Sequence, residues 1–591
     1  MRLKSKKKKI RKAGKLRRGQ VVTTFACGSI VDLPGDSVVI AGTDYWKHSE
    51  DDDYRLSEPN LQQLLGIDYF VMPPGADEDT YTKYGIPAFR FPRWMYCPGC
   101  KRLAHEKKFN FLNSPKCNVC KNKRLVPSRF VIACENGHMD DFPYEWWVHH
   151  GSICQRPELF ISMSKRSSGL DSIVIKCKTC DKSRSMAGSF AKESLASFRC
   201  SARRPWLKDS DPSGCEQRMR TLQRGATNLH FSVNISALTI PPWSERVQDE
   251  LNNNWKTLRT LVDKKDTFIT VVTSLGLPEK CGYSAEEIWI MAEKKYRDVD
   301  QASCTSWQEL LEGEYRAFIQ GCNDEKGHFH TRIEPVSTFL AEDVEQVTLA
   351  LRLREIMALM GFKRIDPDYS INEEKSFCRL GSQYTNWLPA VELKGEGIFI
   401  RLNETAVKEW ESRTEIENRY TRIMNAKNYM EAKGGKVSPR YILLHTLSHL
   451  LIRELILQCG YSSAAIKERI YCTFPGDSES LDMAGILIYT AANDSEGSLG
   501  GLVRMGETNR LENVFRQMLE TASWCSADPL CIQSTGQGSD ALNIAACHSC
   551  TLLPETSCEA RNCYLDRASV VGTIDNRQIG FFGNHFKKGD S

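Results

Sequence analysis

Long apolar runs are scarce in this sequence of 591 residues. The longest lie at 38–42 (VVIAG) and 485–492 (GILIYTAA), far short of the ~20 residues that cross a bilayer. The basic N-terminus is not followed by the apolar segment of a secretory signal. We therefore expect a cytoplasmic chain without membrane contact. Its 41% hydrophobic and 26% charged residues are typical of globular proteins.

A nucleotide-binding P-loop is absent as well. The nearest segment is GGKVS at 434–438, which lacks the first glycine of GxxxxGK[ST] and has valine after the lysine. ATP hydrolysis by that route is therefore excluded. His445 and His449 stand four residues apart on a predicted helix, but a zinc protease needs glutamate where this chain has Thr446. We interpret the two histidines as packed at a helix interface.

Acidic residues are missing from the head of the chain, where the first is Asp32. The first 18 residues hold 11 Lys and Arg, so a net charge of +5 leaves the other residues at −6. Such a polycation is typical of a disordered arm, and it could contact nucleic-acid phosphates. The candidate residues are Lys6, Lys7, Lys8, Lys9, Arg11, Lys12, Arg17 and Arg18.

Cysteine, in contrast, is abundant and odd in number, at 23 residues. Without an export signal the compartment is reducing, so CxxC pairs indicate metal ligands rather than disulfides. The clearest pattern is CPGC at 97–100 followed, after 16 residues, by CNVC at 117–120. This zinc-ribbon spacing predicts a structural zinc ion bound by four thiolates, from Cys97, Cys100, Cys117 and Cys120.

Further cysteines in the N-terminal half predict a second zinc site, formed by Cys177, Cys180, Cys200 and Cys215. A mixed site could form from Cys134, His138, His150 and Cys154. Near the C-terminus, four of six cysteines would suffice for another site, and spacing alone does not choose among them: Cys525, Cys531, Cys547, Cys550, Cys558 and Cys563. Two to four zinc ions per chain are predicted.

One enzyme pattern remains as an alternative. Asp368 precedes Glu392 and Lys394, which lie on a predicted strand. Restriction-type nucleases use such an Asp and Glu to bind Mg²⁺ and such a Lys to polarise the attacking water. The alternative function is therefore a magnesium-dependent DNA nuclease.

The predicted fold class is α+β, with several domains. A helix is expected over 343–360, and a second one over 438–459 with Ser438 as its N-cap and Gly460 at its end. The predicted order is a disordered basic arm (1–20), a β-rich N-terminal region (21–95), a cysteine-rich zinc-ribbon region (96–240), a helical insert (241–340), an α/β linker region (341–430), a mixed α/β zinc-binding domain (431–570) and a tail (571–591).

Several stretches carry a resemblance to a known family: LRRGQVVTTFACGSIVDLPGDSVVIAGTDYW, RFVIACENGHMDDFPYEWWVHH, WLPAVELKGEGIF and AACHSCTLLPETSCEARNCYLD. From about residue 17 to 570 the sequence resembles the DrmB family, whose members are subunits of the DISARM anti-phage defence systems of bacteria. The last 150 residues are also similar to the C-terminal zinc-binding domain of MrfA-type helicases. That likeness implies Cys547, Cys550 and Cys558 as ligands of one zinc ion, with Cys531 favoured over Cys525 as the fourth.

The resemblance also implies a role and a partner. A subunit of this family would be non-catalytic and would partner the superfamily 2 helicase DrmA, which supplies ATP hydrolysis. Together they would bind invading DNA through its backbone, in which case Arg203, Arg204 and Arg224 join the arm as candidate phosphate contacts. A pure scaffold that touches only protein is the remaining hypothesis.

Overall fold

A computed structural model provides the architecture of the chain. It describes residues 14–50, 52–74, 85–109, 115–120, 123–163, 169–301, 304–366, 377–425, 437–474, 481–490, 500–538 and 541–586. The chain divides into two compact units, each built from non-contiguous segments. Unit 1 contains Met1–Arg55, Val71–Ile235 and Ala358–Val391, and unit 2 contains Leu56–Phe70, Ser236–Met357 and Glu392–Ser591.

Antiparallel strands dominate unit 1, as expected of a β-rich, cysteine-rich region. A six-stranded sheet has the spatial order Ser183–Ser185, Ile173–Cys177, Leu159–Met163, Arg102–His105, Trp94–Tyr96 and Val126–Pro127. A three-stranded sheet has the order Ile30–Leu33, Asp36–Ile40 and Ala88–Arg90. A second one has the order Met139–Asp141, Phe130–Ala133 and Arg220–Gln223. A two-stranded sheet pairs Arg203–Arg204 with Asp209–Ser210. Its helices are Arg18–Val22 and Tyr144–His149.

The core of unit 1 shows why these strands hold together. The alternate residues Ile173, Ile175 and Cys177 are buried on one face of their strand, as the two-residue period of a strand requires. They join a cluster that includes Phe142 and Trp147. Cysteine side chains are part of this core, so the metal-ligating residues and the apolar core are one packed structure.

The Pro439–Cys459 helix, called the central helix below, organises unit 2. It begins after Ser438, whose hydroxyl accepts a hydrogen bond from the Tyr441 amide at 3.1 Å, and it ends at Gly460 in the left-handed region (φ 70°). The predicted helix over 438–459 is therefore confirmed. Among the described residues this helix alone is long and apolar enough to cross a membrane, and 72% of its apolar stretch is buried inside the protein.

Antiparallel strands lie beside the central helix. Ile466–Cys472 pairs with Ala484–Thr490, which pairs in turn with Trp387–Leu402. His330–Glu334 pairs with Val344–Lys363. The other described strands are Arg55–Leu56, Tyr69–Val71 and Phe231–Leu238.

Helices supply the rest of unit 2. The predicted helical insert contains Arg246–Leu258, Lys265–Ser274, Leu277–Cys281, Ala285–Gln301 and Trp307–Gln320. The first four of these share an apolar core of their own, which includes Leu251, Phe268 and Ile288. The other α-helices in its described residues are Pro59–Leu65, Glu404–Glu411, Thr414–Asn425, Gly501–Met505, Thr508–Ala522 and Ala568–Val571. The predicted α+β class with a helical insert is confirmed.

The prediction of a helix over 343–360 was wrong, because the chain forms the strand Val344–Lys363 there. The segment is rich in Leu, Ala, Glu and Arg, which favour helices by less than ~1 kcal/mol per residue. Pairing with a neighbouring strand outweighs that preference: Arg332 faces Leu349 and Ile333 faces Thr348. Burial of both faces of the strand conceals the two-residue period that would have indicated it.

Candidate metal centres

Four groups of cysteine and histidine side chains converge in the described residues, each with its donor atoms within 4.8 Å of one another. None of the 23 cysteines, all of which lie in the described residues, forms a disulfide. The nearest Sγ atoms inside the groups lie 3.6 to 3.9 Å apart, far longer than the ~2.05 Å of a disulfide. They match the edge of a tetrahedron with Zn–S bonds of ~2.3 Å, which is about 3.8 Å. The side chains therefore fit zinc.

The ribbon cluster consists of Cys97, Cys100, Cys117 and Cys120. Its first CxxC pair occupies the turn between the paired strands Trp94–Tyr96 and Arg102–His105, and the Sγ atoms of Cys100 and Cys117 lie 3.7 Å apart. Burial opposes ionisation of the Cys97 thiol, but hydrogen bonds from the backbone of Cys100 and Gly99 outweigh it and lower the pKa of Cys97 to about 7. Burial raises the pKa of Cys100 in the same turn, so the backbone favours the thiolate that a metal binds at Cys97 only.

The Cys134 cluster consists of Cys134, His138, Cys200 and Cys215. Cys134 follows the Phe130–Ala133 strand, and its Sγ lies 3.7 Å from that of Cys200 and 3.9 Å from that of Cys215. His138 Nδ1 is 3.6 Å from Cys134 Sγ, while its Nε2 is 3.6 Å from Asp211. A carboxylate behind a ligating imidazole orients the ring, as is common around zinc.

The His149 cluster consists of His149, Cys154, Cys177 and Cys180. His149 ends the Tyr144–His149 helix, and its Nδ1 lies 2.6 Å from the Glu145 carbonyl, which leaves Nε2 facing Cys180 Sγ at 3.3 Å. Cys154 and Cys177 approach to 3.8 Å. Burial opposes ionisation of Cys177, but the backbone of Cys180 and Thr179 outweighs it and lowers the pKa of Cys177 to about 6.

These two clusters correct the grouping expected from the sequence. Cys177 and Cys180 do not meet Cys200 and Cys215, and each pair instead joins one histidine and one further cysteine. His150 is exposed because it follows the last residue of its helix with φ 54°. The histidine that faces the cysteines is His149, which the sequence reasoning missed.

The C-terminal cluster consists of Cys525, Cys531, Cys547 and Cys550. Cys525 lies 3.6 Å from Cys547, and Cys531 lies 3.7 Å from Cys550. Both candidates for the fourth ligand are therefore present, and Cys558 is not among the four. Cys558 Sγ instead lies 3.1 Å from His445 Nε2. Asn562 donates its amide to this sulfur at 3.1 Å, which helps to hold it on the side of the central helix.

The comparisons with known proteins agree with these centres. Residues 17–231 match the family described as a domain of unknown function (DUF8724), and residues 447–551 match the MrfA Zn-binding domain. The chain is 35% identical over 585 residues to the DISARM protein DrmB of Bacillus paralicheniformis, across 93% of this chain and 99% of that relative. The chain belongs to the DrmB family. Its cofactor is zinc.

Within this DrmB-family chain, the MrfA-type match ends at residue 551. It therefore contains every member of the C-terminal cluster and stops before Cys558. The first match, over 17–231, contains the ribbon, Cys134 and His149 clusters.

Two of the three nuclease candidates lie on a strand, as the sequence predicted. Asp368 falls outside the described residues. Glu392 and Lys394 lie on the Trp387–Leu402 strand, and their charged groups are 3.6 Å apart. Arg354, whose side chain is 7% exposed, also binds the Glu392 carboxylate at 2.7 Å. In the described residues this carboxylate is paired with arginine and lysine, and the nuclease stays a prediction.

The residues expected to contact DNA fall into two groups, arginines paired with carboxylates of the protein and residues of the basic arm. Arg203, Arg204 and Arg224 form ion pairs with the protein's own carboxylates, from Asp140 (3.2 Å), Asp209 (2.6 Å) and Asp32 (3.0 Å). Arg17 is exposed, and Arg18 begins the Arg18–Val22 helix. The arm residues from Lys6 to Lys12 lie outside the described residues.

Proposed function

We propose that this chain is a non-catalytic subunit of a DISARM anti-phage defence system in the cytoplasm, where it binds DNA alongside a DrmA-type helicase. The ribbon, Cys134, His149 and C-terminal clusters hold zinc ions in this proposal. Four protein ligands leave no coordination position for a substrate, so such ions are structural. Their role is to fix surfaces that contact the partner and the DNA.

The surface around the ribbon cluster carries this proposal. Residues 97–129, the ribbon lobe, contain nine Lys and Arg and a single acidic residue, Glu106. Seven of the basic side chains are exposed: Lys101, Lys107, Lys108, Lys116, Lys123, Arg124 and Arg129. A positively charged lobe held together by zinc can contact DNA phosphates, and such contacts position a protein on DNA without reading its sequence. The basic arm would add to the same interaction.

Neutralising the ribbon lobe should weaken DNA binding and its salt dependence. In the variant Lys101→Gln, Lys116→Gln, Lys123→Gln, each lost phosphate contact should reduce the slope of log K against log salt by about 0.9. Anisotropy of a labelled duplex at several salt concentrations measures the slope. The matched control replaces three exposed lysines of the helical insert, Lys264, Lys265 and Lys280, by Gln. Equal slopes for the two variants would contradict the assignment.

The partner is tested by co-expression with the helicase subunit of the same system. We expect one stable complex on size exclusion, with ATP hydrolysis traced to the helicase because this chain lacks a P-loop. A Walker-lysine variant of the helicase should abolish hydrolysis without dissolving the complex. Two proteins that elute independently at micromolar concentration would refute the partnership.

A further inference from the structure

A fifth group of donor atoms lies inside unit 2, apart from the C-terminal cluster. His445 and His449 are four residues apart on the central helix and thus on one face of it. Glu468 comes from the Ile466–Cys472 strand, and Cys558 from the segment that follows the C-terminal cluster. All four side chains are buried, and their donor atoms lie within 4.8 Å of one another. We call them the His445 cluster.

The distances inside the His445 cluster are those of ligands around one ion. His445 Nε2 lies 3.1 Å from Cys558 Sγ and 3.0 Å from Glu468 Oε1, and His449 Nε2 lies 3.4 Å from the same oxygen. A tetrahedron with Zn–N and Zn–O bonds of ~2.05 Å and a Zn–S bond of ~2.3 Å has edges of about 3.3 to 3.6 Å. Each observed distance is within about 0.5 Å of that range.

The groups around the cluster leave its donor atoms facing inward. His449 Nδ1 lies 3.0 Å from the Thr551 carbonyl, which fixes the ring so that the lone pair of Nε2 is available to bind a metal. That Nε2 is buried and makes no well-aligned hydrogen bond to a described residue, although Glu468 Oε1 lies 3.4 Å away. The Glu559 amide donates to Glu468 Oε1 at 3.1 Å, and the Ser448 hydroxyl donates to Oε2.

The negative charge of the His445 cluster favours a bound cation. A carboxylate and a thiolate beside two neutral imidazoles carry a charge of −2, which a divalent cation balances. Burial makes an uncompensated charge costly, so a bound cation would stabilise the carboxylate in this site. One sulfur, two nitrogens and one oxygen form a mixed donor set that suits Zn²⁺, and four protein ligands close its shell.

We propose that His445, His449, Glu468 and Cys558 hold a further zinc ion, a structural site that connects the central helix, the Ile466–Cys472 strand and the segment around Cys558. It lies next to the C-terminal cluster through Thr551, whose hydroxyl is 3.1 Å from Cys550 Sγ while its carbonyl binds His449. The zinc ions of the C-terminal and His445 clusters would then lie on either side of Thr551 and hold this part of unit 2 together.

The test is the zinc content of the purified full chain. Cys558→Ala should hold one zinc ion fewer than the wild type by elemental analysis. Cys563→Ala removes another buried thiol from the same segment and should keep the wild-type content. An unchanged zinc content in folded Cys558→Ala would overturn the proposal.

A measurement on the unaltered chain covers the case in which Cys558→Ala fails to fold. Native mass spectrometry of wild-type protein from zinc-supplemented cells should give the mass of five zinc ions per chain. Four or fewer would overturn the site and leave a histidine–glutamate ion pair in its place. The count does not depend on any binding to DNA or to a helicase.

Discussion

Replacing Cys134 by alanine should remove one zinc ion and unfold the part of unit 1 around it. The Sγ atom of Cys134 lies within 3.6 to 3.9 Å of the donor atoms of His138, Cys200 and Cys215. Structural zinc contributes ~10–16 kcal/mol of apparent binding free energy in small peptides. Because a folded domain is stabilised by only ~5–15 kcal/mol, loss of one ligand is a large effect. Elemental analysis and thermal unfolding would measure it.

Cys27 provides the matched control. It is a buried cysteine of unit 1 that belongs to no donor group among the described residues. Burial raises the pKa of Cys27 to about 12, so it stays a neutral thiol. Cys27→Ala should therefore keep the full zinc content and lose only the stability of a small packing defect. If Cys134→Ala also kept all its zinc, Cys134 would not be a ligand and the assignment of the Cys134 cluster would be refuted.

The contrast between the ribbon and Cys134 clusters shows which metal sites a sequence can predict. The ribbon ligands come from two CxxC turns, so local spacing alone brings four sulfurs together. Cys134 and Cys200 are 66 positions apart, and they meet only because the fold returns the chain to the end of the Phe130–Ala133 strand. Cysteine spacing contains no information about such a return, so the residue set could be predicted but not its grouping.

The C-terminal cysteines show the same limit, because their sequence spacing did not predict which of them bind one metal ion. The CxxC pair of Cys547 and Cys550 could be recognised locally. Spacing could not show that Cys525 and Cys531 both join this pair while Cys558 lies beside His445. Glu468 gave no signal at all, because a single glutamate in a strand is ordinary. His445 and His449 did give one, in their spacing of four, and both are buried as interpreted, but the sequence did not indicate the buried carboxylate opposite them.

The largest effect away from the metal ligands is expected at Glu314 and Arg469. These side chains are each 2% exposed and form a two-pronged ion pair with distances of 2.6 and 2.8 Å. Glu314 also accepts from the Tyr471 hydroxyl at 3.0 Å and from the Leu238 amide at 2.8 Å. Arg469 in turn donates to the Ser236 carbonyl at 3.0 Å. The pair therefore connects a helix, a strand and the segment that precedes the helical insert.

Glu314→Leu should lower the free energy of unfolding of unit 2 by about 3–5 kcal/mol, because it leaves the Arg469 charge buried without a partner. The Tyr471 hydroxyl and the Leu238 amide also lose their acceptor, and each unsatisfied group is costly. Arg469→Met should cost a similar amount by leaving the carboxylate unpaired. Urea denaturation monitored in unit 2, with zinc content checked in parallel, would measure both changes.

The double variant decides whether the unpaired charge is the cause. If desolvation of one remaining ion produces the loss, Glu314→Leu with Arg469→Met removes both ions and should recover much of the stability, since apolar replacements of buried ion pairs are often neutral or better. If the two single losses instead added in full, the cost would come from the packing and hydrogen bonds around each side chain, and the ion pair itself would contribute little. Because residues in direct contact are expected to couple, we predict recovery.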